Sequence, residues 1–178
     1  MEYEVRRIRA DEWKSLRRLR LEALKDSPMA FVDQYEEALT RPDRTWQDRT
    51  ERSASSPNSA TFVAVRRGEF VGMAACFVEE RQELEDARAD APVSAHVVGV
   101  YVTPAHRGTG VADALMTAVL DFAQRDLQAD RIRLFVTELN ERAEAFYRRI
   151  GFVRTGTVTA YPLDPTYVEY ELEYRGVG

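Results

Sequence analysis

The chain has 178 residues, 44% hydrophobic and 31% charged, the composition of a single globular domain over residues 1–178 with a core of its own. Its longest apolar run, Phe70 to Val78, has nine residues, too few to cross a bilayer as a helix, and a net charge of −5 argues against tracking along nucleic-acid phosphates. One cysteine, Cys76, excludes an intrachain disulfide, and with no basic-then-apolar leader over Met1 to Ala10 the expected setting is a reducing cytoplasm, without membrane or nucleic-acid partners.

Tyr3, Val5 and Ile8 predict a first strand, and Asp11 is the candidate N-cap of an amphipathic helix carrying Trp13, Leu16, Leu19, Ala23 and Leu24 up to Ser27-Pro28. Met29 to Arg52 reads as a helical excursion interrupted at Pro42, and Ser53 to Ser59 as a loop by composition. Two β-rich runs, Thr61 to Arg66 and Phe70 to Glu79, flank Arg67-Gly68-Glu69 and predict a hairpin. The acidic stretch Glu79 to Asp90 reads as a solvated loop or frayed helix. Val93 to Val102 is a valine-rich strand expected to be buried on both faces. A helix with the stripe Val111, Leu115, Val119 and Phe122 follows, then a strand over Arg131 to Thr137. Asn140 opens another helix, with Ala143, Phe146, Tyr147 and Ile150 on one side and Gly151 as its stop. Phe152 to Thr159 and Tyr167 to Tyr174 predict a closing antiparallel pair, and the whole is a mixed α/β chain around one sheet.

The segment with the most chemical content runs from Val97 through the turn Arg107-Gly108-Thr109-Gly110 to Val111 and Ala112. A strand feeds a small-residue turn that opens a helix, where unpaired N–H groups and the positive end of the helix dipole suit an anion such as pyrophosphate. A Gly-x-Gly turn alone can also be no more than a tight connection. A dinucleotide fingerprint needs a third small residue where Asp113 stands, and a P-loop needs Gly-Lys followed by Ser or Thr, which is absent.

Arg107-Gly108-Thr109-Gly110-Val111-Ala112 resembles the Arg/Gln-x-x-Gly-x-Gly/Ala loop of the GCN5-related N-acetyltransferases, the GNAT superfamily. Asn140-Glu-Arg-Ala143-Glu-Ala-Phe146-Tyr147-Arg-Arg-Ile-Gly151-Phe152 is similar to a second segment of that family, in the same order and spacing. The resemblance implies a central, mostly antiparallel mixed sheet of about seven strands flanked by helices, with parallel strands four and five splayed apart, here Val97 to Val102 and Arg131 to Thr137. It implies acetyl-coenzyme A as acyl donor, its pyrophosphate on the amides of Arg107, Gly108, Thr109, Gly110, Val111 and Ala112, and its pantetheine arm beside Val100, Tyr101 and Val102. Asn140 is either a helix cap or, by family precedent, a partner of that arm. Tyr147 is either a core tyrosine or the acid that protonates the departing thiolate, since a phenol is protonated at neutral pH.

Attack by an amine also needs a base. Where many members of the family carry a glutamate on the strand before the phosphate loop, this chain has His96, a departure that a neutral imidazole can serve chemically. Glu79 or Glu80 acting through water is the competitor, and His96 as a core imidazole is the bland reading. His106 is expected to be exposed in the loop, and without a second histidine or cysteine cluster no metal site is expected. Cys76, in an apolar strand, reads as an inert thiol. Asp33, Glu36, Glu37 and the acidic loop are candidates to draw a cationic amine, and Tyr35, Trp46 and Tyr161 to wall its pocket, with a solvated face and a packing anchor as the plainer alternatives. The implied activity is acetyl transfer to a primary amine by direct attack, on a small molecule, on a protein lysine or N-terminus, or else none, in a coenzyme A-binding module. A homodimer is implied by analogy, with Tyr167 to Tyr174 as a candidate edge.

Overall fold

In the computed structural model, which describes residues 3–79 and 92–176, the apolar alternation resolves into seven strands of one sheet. These are β1 (Glu4–Arg7), β2 (Ser59–Arg66), β3 (Glu69–Val78), β4 (Ser94–Val102), β5 (Arg131–Thr137), β6 (Phe152–Ala160) and β7 (Val168–Tyr174). Their order is β1-β2-β3-β4-β5-β7-β6, every pair antiparallel except β4 with β5. Helices α1 (Trp13–Asp26), α2 (Tyr35–Thr40) and α3 (Asp43–Ser55) precede β2, while α4 (Val111–Asp121) and α5 (Glu141–Arg149) flank β5 in the chain. The acidic stretch beyond Glu79, Glu80 included, lies outside the described residues.

Two cores fill the two faces of the sheet. Leu16, Leu19, Ala23 and Leu24 of α1 pack with Trp46, Val63, Met73 and Tyr101 on one face. Val111, Leu115 and Val119 of α4, with Phe122 just beyond it, pack with Val97, Ile132, Leu134, Tyr147 and Phe152 on the other. The predicted α4 stripe is thus buried throughout. The β2–β3 hairpin turns on Arg67 and Gly68, both at positive φ, the type I′ geometry that matches strand twist.

Three local expectations are corrected. The N-cap of α1 is Glu12, not Asp11; the Glu12 carboxylate accepts from the Arg9 backbone N–H at 2.8 Å and from the Arg6 guanidinium. Ser53 to Ser55 are helical rather than loop, because Arg7 from β1 donates to the carbonyls of Ser53 and Ser56 and satisfies the end of α3. The sheet edges are β1 and β6, the latter exposed beyond Phe152, and β7 lies between β5 and β6, so Tyr167 to Tyr174 offers no free edge for a dimer.

Gly151 closes α5 at φ +101°, and a Cβ there would stand 2.6 Å from the carbonyl oxygen of Gly176. Both the conformation and the space demand glycine. Gly151→Ala is expected to cost about 2–3 kcal/mol, read as a lower urea midpoint with an unchanged m-value.

Candidate active site

The site starts from a sheet that fails to stay paired. Strands β4 and β5 are hydrogen-bonded only from Ser94↔Arg131 to His96↔Arg133 and then part. On its other side β4 carries an extra residue against β3, where Met73 faces Tyr101 but Ala75 faces Val98. Gly99 takes φ +66° at this bulge, so Gly99 and Val100 have no ladder partner on either side. This explains why β4 is not buried on both faces as its apolar run suggested: Val98, Gly99 and Val100 are only half-buried and line a cleft.

Two cavities meet in that cleft, sharing Ala30, Val100, Asn140, Ala143 and Tyr147. The outer one, ≈ 430 Å³, runs between β4, the glycine turn and α5, with Arg107, Arg142 and Arg149 on its walls. Val100, Tyr101, Val102, Arg107, Gly108, Gly110, Ala112 and Asn140 all line it, whereas Thr109 turns its hydroxyl back to the His106 carbonyl and Val111 points into the core. Gly108 and Gly110 sit at φ +74° and +87°, with nothing within 4 Å of where a Cβ would project. The Arg107 side chain reaches Asp26 at the end of α1 and the Val102 carbonyl, which leaves its backbone to the cleft. This is an open cradle at a helix N-terminus, with Arg142 on its wall and Arg107 and Arg149 paired to Asp26 and Asp113, and its backbone fits the pyrophosphate of coenzyme A. The Asn140 side chain accepts from the Ala143 N–H at 3.1 Å, so its capping role is filled, and it still lines both cavities.

Tyr147 stands where the two cavities join. Its ring packs against Phe146 and Phe152, no described residue bonds its hydroxyl, and burial pushes its pKa above the ordinary tyrosine value.

The inner cavity, ≈ 370 Å³, lies between Val97–Val100 and Leu134–Thr137, under a roof of Met29 to Asp33. The Tyr161 hydroxyl donates to the Phe31 carbonyl at 3.2 Å and ties that roof to the β6–β7 connection. His96 lines this cavity, between the Phe77 and Phe135 rings, with Nδ1 3.5 Å from Glu79 Oε1. Burial lowers the His96 pKa from 6.5, and Glu79 opposes that shift. Glu79 itself accepts from Arg133 Nη2 and Nε, at 2.6 and 2.8 Å; burial raises its carboxylate and this clamp more than reverses the effect. A carboxylate with both oxygens so occupied is a poor base and a good orienting group.

Several candidates fall elsewhere. Trp46 is buried in the α1-side core, and Tyr35 and Tyr161 line a separate surface groove, so none of the three walls the cleft. His106 is not free in the loop: Arg66 and Thr103 bond its two ring nitrogens. Cys76 is buried and its thiol pushed up to about 12. Asp33 does line the inner cavity, but hydrogen bonds from Arg41 and Arg20 hold it far below the usual carboxylate range against the effect of burial. It is therefore no free lure for an amine. The residues that the sequence reading missed are Arg20, which lies on the apolar stripe of α1, and Glu169 of β7; both line the inner cavity.

Among the described residues, no group of His, Cys, Asp and Glu side chains is arranged to hold a metal ion, and no helix is long and apolar enough to cross a membrane.

The fold superposes on an acetyltransferase of the GNAT family from Streptococcus pneumoniae with a TM-score of 0.77, at 17% identity over 99% of this chain and 100% of that one. It also superposes on the PaiA N-acetyltransferase of Thermoplasma acidophilum, solved in complex with coenzyme A, with a TM-score of 0.71 at 16% identity, over 98% and 100% of the two chains. In sequence the chain is 32% identical to an L-amino acid N-acetyltransferase of Escherichia coli over 68% of each protein. It is 33% identical to an uncharacterized N-acetyltransferase of Mycobacterium tuberculosis over 59% of this chain, spanning 60% of that relative's length. The profile of the Acetyltransferase (GNAT) family matches residues 13–152, from the first helix to the end of the cleft-bearing segment. With the parted strands, the glycine cradle and the tyrosine between the two cavities, this places the chain in the GNAT acetyltransferase family.

Proposed function

We propose that the protein transfers an acetyl group from acetyl-coenzyme A to the primary amine of a small molecule, by direct attack in a ternary complex. The observation that carries this reading is the position of Tyr147 at the junction of an open cavity beside the glycine turn and a roofed one. The outer cavity suits the donor: pyrophosphate on the backbone of Arg107 to Ala112, pantetheine as an extra strand beside the unpaired Gly99 and Val100. A backbone N–H near Val100 polarises the thioester carbonyl in this reading. The inner cavity suits the acceptor, and its roof of Met29 to Asp33 favours a small molecule over a protein chain.

In the reaction the amine nitrogen forms a bond to the acetyl carbon and the carbon–sulfur bond breaks, its electron pair leaving on sulfur. His96 accepts the proton that the amine must lose, and Tyr147 supplies one to the departing thiolate. Glu79, clamped by Arg133, acts as a positioning residue for His96.

A thiol-release assay with acetyl-coenzyme A against amines and basic peptides tests the reading, with turnover on small amines expected to exceed that on peptides. Binding is checked separately: coenzyme A at 100 times its Kd is expected to add ~2.7 kcal/mol to folding stability, measured as a shift of the urea midpoint. Protection without turnover on any acceptor would favour a binding module, and the absence of protection would remove the donor site itself.

A further inference from the structure

Arg20 is a cation in the wrong place for a helix that only needs to pack. It lies on the buried stripe of α1 with Leu16, Leu19, Ala23 and Leu24, and is 8% exposed. Phe31 of the roof covers its guanidinium at 4.4 Å, and Nη2 donates to Asp33 at 2.9 Å. Nε is buried with no hydrogen-bond partner among the described residues, and Nη1 stands 3.6 Å from where a Cβ on Gly99 would project, at the bulge of β4. The guanidinium thus lines the inner cavity on one side and, with Arg49, a small cavity of ≈ 60 Å³ behind Gly99 on the other, with a donor edge unused.

The charge around it does not balance. Arg20, Arg41 and Arg49 gather on the carboxylate of Asp33, at 2.9, 2.8 and 3.9 Å, and with Glu37 acting only on the outer Arg41 the positive charge exceeds the negative in a half-buried cluster. The strain shows in Arg49, whose pKa burial and the neighbouring Arg20 bring down to about 10. Uncompensated buried charge is costly, and an anion in the cavity would relieve it. On another wall of the same cavity Glu169 shows the opposite imbalance: no ion pair or hydrogen bond reaches its side chain among the described residues, and burial raises its pKa.

We infer that the acceptor is a zwitterion of the amino-acid type, its carboxylate received by the Arg20 guanidinium and its amino group drawn toward Glu169 and the Val100 edge of β4. Arg20 is poised at Gly99, and Val100 is the next residue, so a carboxylate held there leaves an α-amine two bonds away beside the reacting thioester. Phe31, Val98, Leu134 and Val136 line the remaining walls, which suits an apolar side chain. A guanidinium grips a carboxylate through parallel hydrogen bonds, and rejects an analogue that cannot accept them.

The inference rests on the acceptor reading of the inner cavity, and the test separates the two. The wild-type protein is assayed with acetyl-coenzyme A against L-amino acids, their carboxamides and their decarboxylated amines, with rates referred to the free amine. For the best acceptor, the carboxylate form is expected to exceed the carboxamide by about 30-fold in kcat/KM, carried mainly by KM. Arg20→Gln is expected to bring that ratio to within about threefold, and Arg49→Gln, at a half-exposed residue, to lower it several-fold. Equal use of carboxamides or simple amines, better use of peptides, or a preference that survives both variants would overturn the inference while leaving the transferase reading intact. If no acceptor turns over, titration calorimetry of the coenzyme A-loaded protein with the same compounds decides it. Binding of amino acids that Arg20→Gln abolishes upholds the carboxylate site, and no binding, or equal binding of the carboxamides, overturns it.

Discussion

Tyr147→Phe is expected to lower kcat by about 10²–10³-fold, with the KM for acetyl-coenzyme A and the protection that coenzyme A gives against unfolding changed by less than about threefold. The substitution removes one oxygen and leaves the ring, which is held between Phe146 and Phe152 in the α4-side core, so packing is preserved. The chemical argument turns on relative basicity. An ordinary thiol, with pKa ~8.5, is a stronger acid than a phenol, pKa ~10, so a tyrosine in water would not hand its proton to a thiolate. The cleft alters both sides of that comparison. Burial raises Tyr147, and burial also raises a thiol: Cys76 in the same fold is pushed up to about 12. Because both rise together the order is not reversed, and Tyr147 serves the forming thiolate by a short hydrogen bond, with the proton passing over as the product leaves. Single-turnover measurement of acetyl transfer checks this; a Phe variant with an unchanged chemical step would remove Tyr147 from the mechanism.

Much of this site was legible because its chemistry is local in sequence. The turn Arg107 to Gly110, the cap Asn140 and the stop Gly151 each state a backbone requirement that glycine or a capping side chain answers within a few residues, and the structure forms each of them. What was not legible depends on which distant residues come together. The valines of β4 read as buried on both faces, because an apolar run looks the same whether a strand partner or a cleft lies beside it; the parting after His96↔Arg133 makes the difference. The edge went to the wrong strand for the same reason, since strand order is set by pairing between β5 and β7 and not by either sequence alone. Asp33 looked like a free acid because its three arginines come from α1, the α2–α3 link and α3. Arg20 carried a signal that could have been used: a guanidinium at helical spacing within an apolar stripe is buried or bound to something.

His96→Ala is expected to reduce kcat/KM for the amine by about 10²-fold, and the pH profile distinguishes a base from a packing residue. In the wild type kcat/KM rises with pH as the imidazolium loses its proton, with the acidic limb centred below 6.5 because burial disfavours the charged ring. Three groups face that ring from neighbouring strands: Glu79 and Glu171 favour the imidazolium, and Arg133 opposes it. Glu79→Gln removes the nearest of the favouring charges, so the imidazole pKa falls and the limb moves to still lower pH. A packing role predicts a loss of activity with no displacement of the limb. His96→Ala itself should abolish the limb while coenzyme A protection persists, since the ring lines the acceptor cavity and not the donor cavity. Arg133 makes the sign of a further change predictable. Arg133→Gln takes away a positive charge and frees Glu79 of its clamp, and both effects raise the imidazole pKa, moving the limb upward instead. Opposite displacements in Glu79→Gln and Arg133→Gln are what a working His96–Glu79 pair requires, and limbs that coincide with the wild type in both variants would place the base elsewhere, with Glu169 the first carboxylate to examine.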